Sequence, residues 1–267
     1  MQLPRSSSGL SALAVARLCA EAAGDIIRAG FGITGISATK GRGNVVTRVD
    51  FEAERRTMEI LGREFPDHAI LSEETSATTR SDGWIWVVDP LDGTKNFSRA
   101  IPHFAFSIAL CFAGEPLVAL TTHPLLRDEF AAVAAKGTTL NGARAAVSGA
   151  TSIQESVISL DLGYDDARGV RQLGLAHGLF PGVQGIRTMG SAALGFAYVA
   201  AGRFDAYIHS DLGPWDIAAG LLLVREAGGT VSDRNGSAAT IWTRAAVAGT
   251  PLVHDELARL AATLPVD

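Results

Sequence analysis

Residues 84–97 read WIWVVDPLDGTKNF, five apolar residues followed at once by two aspartates in a turn that carries proline and glycine. A short run with no polar residue on either alternate face fits a strand covered on both sides, which needs helices or a second sheet above and below it. Residues 104–112 carry the constraint further: Phe104, Phe106, Ile108, Leu110 and Phe112 alternate with Ala105, Ser107, Ala109 and Cys111. That strand has one bulky face and one suited to close packing, so both faces are expected to be covered. Further strands are predicted at 69–72, 117–121, 129–134, 157–160 and 204–209, with residues 114–116 turning into the second of them.

Between these strands the apolar spacing changes to that of helices. Val15, Leu18, Cys19, Ala22 and Ile26 fall on one helical stripe that stops at Gly30. A second helix over 47–65 has Phe51, Met58, Leu61 and Phe65 on one side. It is opened by Thr47 with Asp50 three residues on, follows a Gly-rich loop, and ends before Pro66. Helices are also predicted at 191–201 and 215–227, the latter closed by Gly228 and Gly229, while residues 5–8 are expected to fray. This alternation predicts an α/β fold. With 267 residues and no repeat or low-complexity linker, we expect one domain over 1–267, with two intimate lobes at about 1–145 and 146–267.

Composition removes several classes of function. A chain that is 47% hydrophobic and 19% charged, with a mean hydropathy of +0.21, is a globule and not a disordered segment. Its net charge of −5 supplies no general field for nucleic acid or anionic lipid, so neither is expected as a partner. Cys19 and Cys111 are too few and too far apart for a disulfide framework, and charged residues interrupt the apolar N-terminal stretch. A cytoplasmic location is the expectation.

The acidic residues carry the chemistry. Asp89 and Asp92, spaced by the stiff Pro90, can converge with the Leu91 carbonyl to offer hard oxygens to a divalent ion. Glu73 and Glu74 close the preceding strand, and Asp216 begins a helix after Pro214 and Trp215. Each has a plainer reading alone: a turn capping its own backbone, a solvated pair, a complement to a helix dipole. Together, three acidic clusters at element ends make a shared edge site, where neighbouring carboxylates repel one another unless a cation neutralises them. Mg2+ suits such oxygens. The six histidines never pair at close spacing and there is no Cys-x-x-Cys, so zinc lacks a framework, and no Gly-x-Ser-x-Gly elbow supports a nucleophilic serine. His68, His123 and His254 are expected to serve surface or packing. Phosphate is the natural partner of a carboxylate and Mg2+ site. Backbone NH groups at Gly93 and Thr94, and at Gly190 and Ser191, are the candidate cradles, the latter pair also reading as an ordinary helix cap.

These blocks resemble the inositol monophosphatase family of Mg2+-dependent, lithium-sensitive phosphatases, which includes fructose-1,6-bisphosphatases, bisphosphate nucleotidases and histidinol-phosphate phosphatases. The matching stretches are 43–50 (GNVVTRVD), 70–75 (ILSEET), 84–97, 190–192 (GSA) and 214–229 (PWDIAAGLLLVREAGG), in the family's order and over about residues 10–250. The resemblance implies an α-β-α-β-α layered sandwich, usually a homodimer, acting on a small phosphorylated metabolite. It implies that Glu73, Asp89 and the Leu91 carbonyl hold one Mg2+ and that Asp89, Asp92 and Asp216 hold a second, with a third, weaker ion leaning on Glu73. Glu73 and Thr94 would orient the attacking water, with Asp50 bonded to the Thr94 hydroxyl in competition with its capping role. Gly93, Thr94, Gly190, Ser191 and Ala192 would surround the phosphate, Asp216 would also face the substrate, and Lys40 would add charge.

Substrate choice rests on fewer positions. Six residues before the tryptophan of the WD pair, where the inositol enzymes use a glutamate for sugar hydroxyls, this chain has His209, with Asp211 nearby. Inositol 1-phosphate or a similar polyol phosphate is the expected substrate. Histidinol phosphate, a 3′(2′),5′-bisphosphate nucleotide and fructose 1,6-bisphosphate are the alternatives, Asn96-Phe97 and WDIAAG leaning towards the monophosphatase branch. A regulatory protein on the same fold is the alternative of another class, since some bacterial members act on the transcription machinery.

Overall fold

The computed structural model describes residues 2–33, 35–41, 44–74 and 82–262. Gly43 and Thr75 of the motif blocks, and the side chain of Lys40, lie outside them. A seven-stranded sheet and a five-stranded sheet form the frame. The larger is nucleated by the apolar run at 84–88, which continues through the acidic turn as the strand Trp84–Asp92, with an irregularity between Asp89 and Asp92.

The alternation of bulky and small residues in the strand Ala105–Phe112 sorts two cores. Phe106, Ile108 and Leu110, with Trp86 and Val88, pack under the helices Ala12–Gly30 and Arg48–Glu64. Ala105, Ala109 and Cys111, with Ile85 and Val87, face the helices Ala192–Ala200 and Pro214–Glu226. That second pair is buried all round, because its other side meets Tyr207, Ala246 and Ala248 of the smaller sheet. Small residues there let the layers approach: a Cβ on Gly195 would lie 2.5 Å from the Tyr207 ring. On the far side of the smaller sheet, Ile158, Leu160, Ile208 and Val247 pack on Leu175 and Leu179 of Asp166–Leu179 and on Val253 and Leu257 of Pro251–Ala262. The layers therefore run α-β-α-β-α, and the expected α/β class and layered sandwich are observed.

Several local expectations are corrected. In the first helix Leu18 is 38% exposed while Ala16, Ala20, Ala23 and Ile27 are buried. In the second, Phe51 is 44% exposed and the buried face carries Ala53, Glu54, Thr57, Ile60 and Leu61. In both, the buried face is rich in small or polar residues that a search for large apolar ones passes over. The loop before the second helix contains a hairpin of Ile36–Gly41 and Asn44–Thr47. Residues 5–8 do not fray: Ser6 is buried, the Ser7 NH donates to Glu64 O at 2.8 Å, and the Ser8 hydroxyl donates to the Glu64 carboxylate. The helices Asp166–Leu179 and Pro251–Ala262 lie outside the predicted elements; their one-sided apolar content is interleaved with Arg and His, and in the first with Gly as well. Cys19 and Cys111 are free thiols in separate cores, pushed up to about 12 by burial. No helix among the described residues is long and apolar enough to cross a membrane.

Candidate active site

Strand pairing brings the acids to one edge. The strand Ala69–Ser72 runs parallel to Trp84–Asp92 with Ser72 opposite Val88, so Glu73 and Asp89 leave adjacent strands at the same end. In the smaller sheet Asp161 pairs in parallel register with His209. Asp216 sits in the first turn of Pro214–Glu226, which packs against the larger sheet. These ends surround one cleft of about 660 Å3 lined by Glu73, Asp89, Leu91, Asp92, Gly93, Thr94, Gly190, Ala192, His209 and Asp216, with Asn44, Lys95, Asp161, Tyr164, Asp211, Trp215, Trp242 and Arg244 among its other walls.

Asp89, Asp92 and Asp216 each offer an oxygen within 4.8 Å of the others; Glu73 borders the same cleft outside this trio. Burial, followed by the charges of Glu73, Asp92 and Asp216, holds Asp89 well above the usual carboxylate range. Asp216 is raised in the same way by burial, Asp92 and Glu73. Asp92 is pushed up to about 6 by burial, against the pull of the Ser191 hydroxyl and the Ala192 and Ala193 NH groups. No ion pair reaches the trio among the described residues. Two buried carboxylates and a half-buried one in mutual repulsion, offering only hard oxygens, are the donor set that a divalent cation satisfies.

Neighbouring turns fix these carboxylates. The Leu91 NH donates to Asp89 Oδ1 at 3.1 Å, and the Gly213 NH to Asp216 Oδ2 at 2.6 Å. Asp92 accepts from the Ser191 hydroxyl and from the Ala192 and Ala193 NH groups at 3.2 and 3.0 Å, so it caps the helix Ala192–Ala200 from across the cleft. Ser191 also caps that helix directly, through Leu194 N. Gly93 sits at φ +86°, where a Cβ would approach His103 O at 3.1 Å and Gly190 O at 3.2 Å, so glycine alone lets the turn close against both segments. The helix it opens, Thr94–Ser98, has no side-chain cap.

The expected competition for Asp50 does not arise, because its two oxygens divide the work. Oδ2 accepts from Thr47 N at 2.8 Å and Thr47 Oγ1 at 2.5 Å, completing the capping box. Oδ1 accepts from Thr94 Oγ1 at 2.8 Å, while Leu91 O lies 2.9 Å from the same hydroxyl. Burial raises the Asp50 carboxyl, and the bonds from Thr47 and Thr94 pull it back.

The second cradle differs from expectation. The Gly190 NH donates to Asp161 Oδ1 at 2.8 Å and the Ala192 NH is taken by Asp92, so neither amide is available to a phosphate in this arrangement. Asp161 is a site residue outside the sequence expectations, because Ser159 breaks the apolar run that leads to it. It is buried and also accepts from Met189 N at 3.0 Å and Tyr207 OH at 2.9 Å. Asn96 was likewise read only as a family marker; its amide donates to His103 O at 2.8 Å and Met189 O at 2.7 Å, tying the aspartate turn to the 189–190 turn.

His209 ends the strand Ala206–His209 and is buried in the cleft wall. Its Nδ1 accepts from the Asp211 NH at 3.1 Å, which leaves Nε2 as the protonated nitrogen of the neutral ring. Burial lowers its pKa against the pull of Asp161 and Asp211. Asp211 is paired through one oxygen with Arg168 at 3.1 Å and Arg244 at 2.6 Å. His123 and His254 are buried packing residues, while His68 stacks between Phe65 and Trp84.

Fold and site together define a five-layered α/β protein with a buried carboxylate centre of the divalent-cation type. The family model for the inositol monophosphatase family matches residues 11–265, and the chain belongs to that family. It is 36% identical over 249 residues to the Nus factor SuhB of Pasteurella multocida, covering 92% of this chain and 93% of the relative. To the Nus factor SuhB of Escherichia coli K12 it is 39% identical, covering 81% and 82%. The crystal structure of the extragenic suppressor protein suhB from Bartonella henselae superposes with a TM-score of 0.88 at 32% identity, covering 94% of this chain and 98% of that one. The Thermotoga maritima IMPase does so with 0.86 at 33%, covering 94% and 96%.

Proposed function

We propose that this chain hydrolyses a small phosphate monoester with Mg2+, the alcohol being a polyol such as inositol. The observation that carries the reading is the trio of buried Asp89 and Asp92 with half-buried Asp216, whose charges have no counter-ion among the described residues. Glu73, Asp89 and the Leu91 carbonyl would hold one ion and Asp89, Asp92 and Asp216 another, with Asp89 common to both. When bound, Mg2+ supplies the charge that polarises a phosphate oxygen and makes water acidic.

The chain's own groups supply orientation and proton control. The Thr94 hydroxyl has one proton and two acceptors within reach, and the Asp50 carboxylate is the stronger. With that hydroxyl donating to Asp50, the Thr94 oxygen can accept from water, and Glu73 can accept the other hydrogen across the cleft. The Leu91 carbonyl then keeps its lone pairs for the ion. Gly93 and Thr94, opening a helix with no side-chain cap, direct NH groups at the phosphate oxygens. Ser191 and Asp161 act by holding Asp92 and the 189–190 turn in place. His209 Nε2 offers a donor to a substrate hydroxyl where the inositol enzymes offer an acceptor.

The test is phosphate release from inositol 1-phosphate, histidinol phosphate, fructose 1,6-bisphosphate and adenosine 3′,5′-bisphosphate, with Mg2+ and with EDTA. Release that requires Mg2+ and is lost in Asp92→Asn and Asp216→Asn supports the reading; turnover in EDTA, or unchanged by both substitutions, refutes it. The ester preferred identifies the alcohol. The relatives named Nus factor SuhB favour a second reading, that this chain is a Nus factor. An Asp89→Asn variant without hydrolysis that retained full cellular function would make that role independent of turnover.

A further inference from the structure

Resting on the hydrolytic reading of the cleft, we propose that Asp211 selects the alcohol of the substrate: with His209 it makes an acceptor and donor pair that reads two neutral hydroxyl groups. Both residues line the cleft that also holds Asp89, Asp92 and Asp216. They lie side by side, because Gly163 faces both: a Cβ there would come within 2.8 Å of Asp211 Cβ and 3.6 Å of His209 Cε1. Gly163 lines the same cleft, so its missing side chain keeps the shared face of the pair clear.

Existing hydrogen bonds fix what each residue can offer. A backbone NH only donates, so the 3.1 Å contact of Asp211 N with His209 Nδ1 makes that nitrogen the acceptor and puts the ring proton on Nε2. His209 is 8% exposed, and burial disfavours its charged form. No hydrogen bond among the described residues takes up Nε2, so a buried donor on the cleft wall awaits a ligand oxygen. Asp211 accepts Arg168 Nη1 at 3.1 Å and Arg244 Nη2 at 2.6 Å, both on Oδ1. None of the described hydrogen bonds uses Oδ2, which keeps its lone pairs for a donor.

The pair is also held in place. Arg168 Nη1 donates to Ser210 O at 3.0 Å as well as to Asp211, so one guanidinium pins the backbone between the two residues and the carboxylate together. His209 is fixed in its strand between Asp161 and Ala246. A hydroxyl group both donates and accepts, so one can take the proton of Nε2 while a second donates to Oδ2; a methylene satisfies neither and leaves both unpaired. An ammonium has no lone pair for Nε2, and two guanidinium groups already meet the charge of Asp211. Neutral hydroxyl groups are what this wall recognises.

The experiment measures initial rates of phosphate release by the full chain with Mg2+ from inositol 1-phosphate, cyclohexyl phosphate and 2-aminocyclohexyl phosphate. Equilibrium dialysis with Mg2+ against the methylene phosphonate analogues of the first two accompanies it. Those two esters share ring and phosphate and differ in hydroxyl groups. We expect kcat/KM to favour inositol 1-phosphate by about a hundredfold, roughly tenfold for each hydrogen bond, and the amino ester to do no better than cyclohexyl phosphate. Asp211→Asn keeps an oxygen for the two arginines and puts an NH2 group in place of Oδ2, so it should cut that preference about tenfold, the loss falling on the inositol ester. His209→Phe should do the same, and His209→Gln, which carries an amide NH2, should recover most of it. A preference unchanged by Asp211→Asn overturns the proposal, as does an equal loss on both esters, which a merely structural role would give, or a preference for the amino ester over inositol 1-phosphate. If no ester releases phosphate, the hydrolytic reading fails by itself and the dialysis decides this one: weaker binding of the inositol phosphonate by Asp211→Asn, about tenfold, supports it, and equal affinity or no saturable binding overturns it. Should Asp211→Asn not fold by circular dichroism, His209→Phe and His209→Gln decide the question by the same ratio.

Discussion

Replacing Thr94 by Val removes one oxygen and keeps the shape, which makes it the cleanest probe of proton control in the cleft. The hydroxyl lies 2.8 Å from Asp50 Oδ1 and 2.9 Å from Leu91 O, and both Thr94 and Asp50 are buried. Its loss leaves one buried carboxylate oxygen without that donor, a cost of about 1–3 kcal/mol. The capping bonds from Thr47 to the other oxygen survive, so the helix Arg48–Glu64 keeps its start. If the hydroxyl also accepts from the attacking water, kcat should fall by about 10²–10⁴, or roughly 3–5 kcal/mol of barrier, with KM little changed. Thr94→Ser should recover most of both losses. Urea unfolding and initial rates of phosphate release with Mg2+ measure the two effects separately. A kcat for Thr94→Val within about threefold of the unsubstituted chain, a barrier change under about 1 kcal/mol, would refute the assignment whatever the stability does.

Three further outcomes are expected. Asp161→Asn should lower kcat and destabilise the fold by about 1–3 kcal/mol, because an amide cannot accept all three of the bonds from Met189 N, Gly190 N and Tyr207 OH; wild-type kinetics with wild-type stability would exclude a positioning role. His103 is lowered to about 4 by burial and by His123, against Asp161. The unfolded chain therefore binds the extra proton first, and His103's contribution is complete above about 6.5 and lost as pH falls towards 4, worth about 3 kcal/mol across that window. Urea unfolding of His103→Phe should show that much less acid sensitivity, and an identical pH profile would contradict it. Gly195→Ala should destabilise by about 1–3 kcal/mol, because its Cβ would overlap the buried Tyr207 ring at 2.5 Å; a melting temperature equal to wild type would show that the middle layer has slack.

The strands and the aspartate turn were legible because the signals are local. A run such as 84–88 can be satisfied only by burial on both faces, and its abrupt acidic end marks a sheet edge whatever lies elsewhere. Asp161 carries a weaker local mark, because Ser159 interrupts the apolar run before it. The helix Asp166–Leu179 was harder, because its buried residues Gly169, Gln172, Leu175 and Leu179 make a weak stripe that only the facing sheet completes. The Gly190 amide looked available for phosphate because nothing near it in sequence competes; its acceptor, Asp161, arrives from 29 residues away.

Local order of residues by itself determined which segments could be strands or helices, and that paired carboxylates in a turn close a buried strand. Tertiary packing decided that Asp89, Asp92 and Asp216 share one space, that Asp50 serves Thr47 with one oxygen and Thr94 with the other, and that Asp161 holds the 189–190 turn. The division has a physical cause. Backbone conformation and burial preference act over a few neighbouring residues, whereas Coulomb repulsion and hydrogen-bond partnership act through space between groups that only the layered fold brings together.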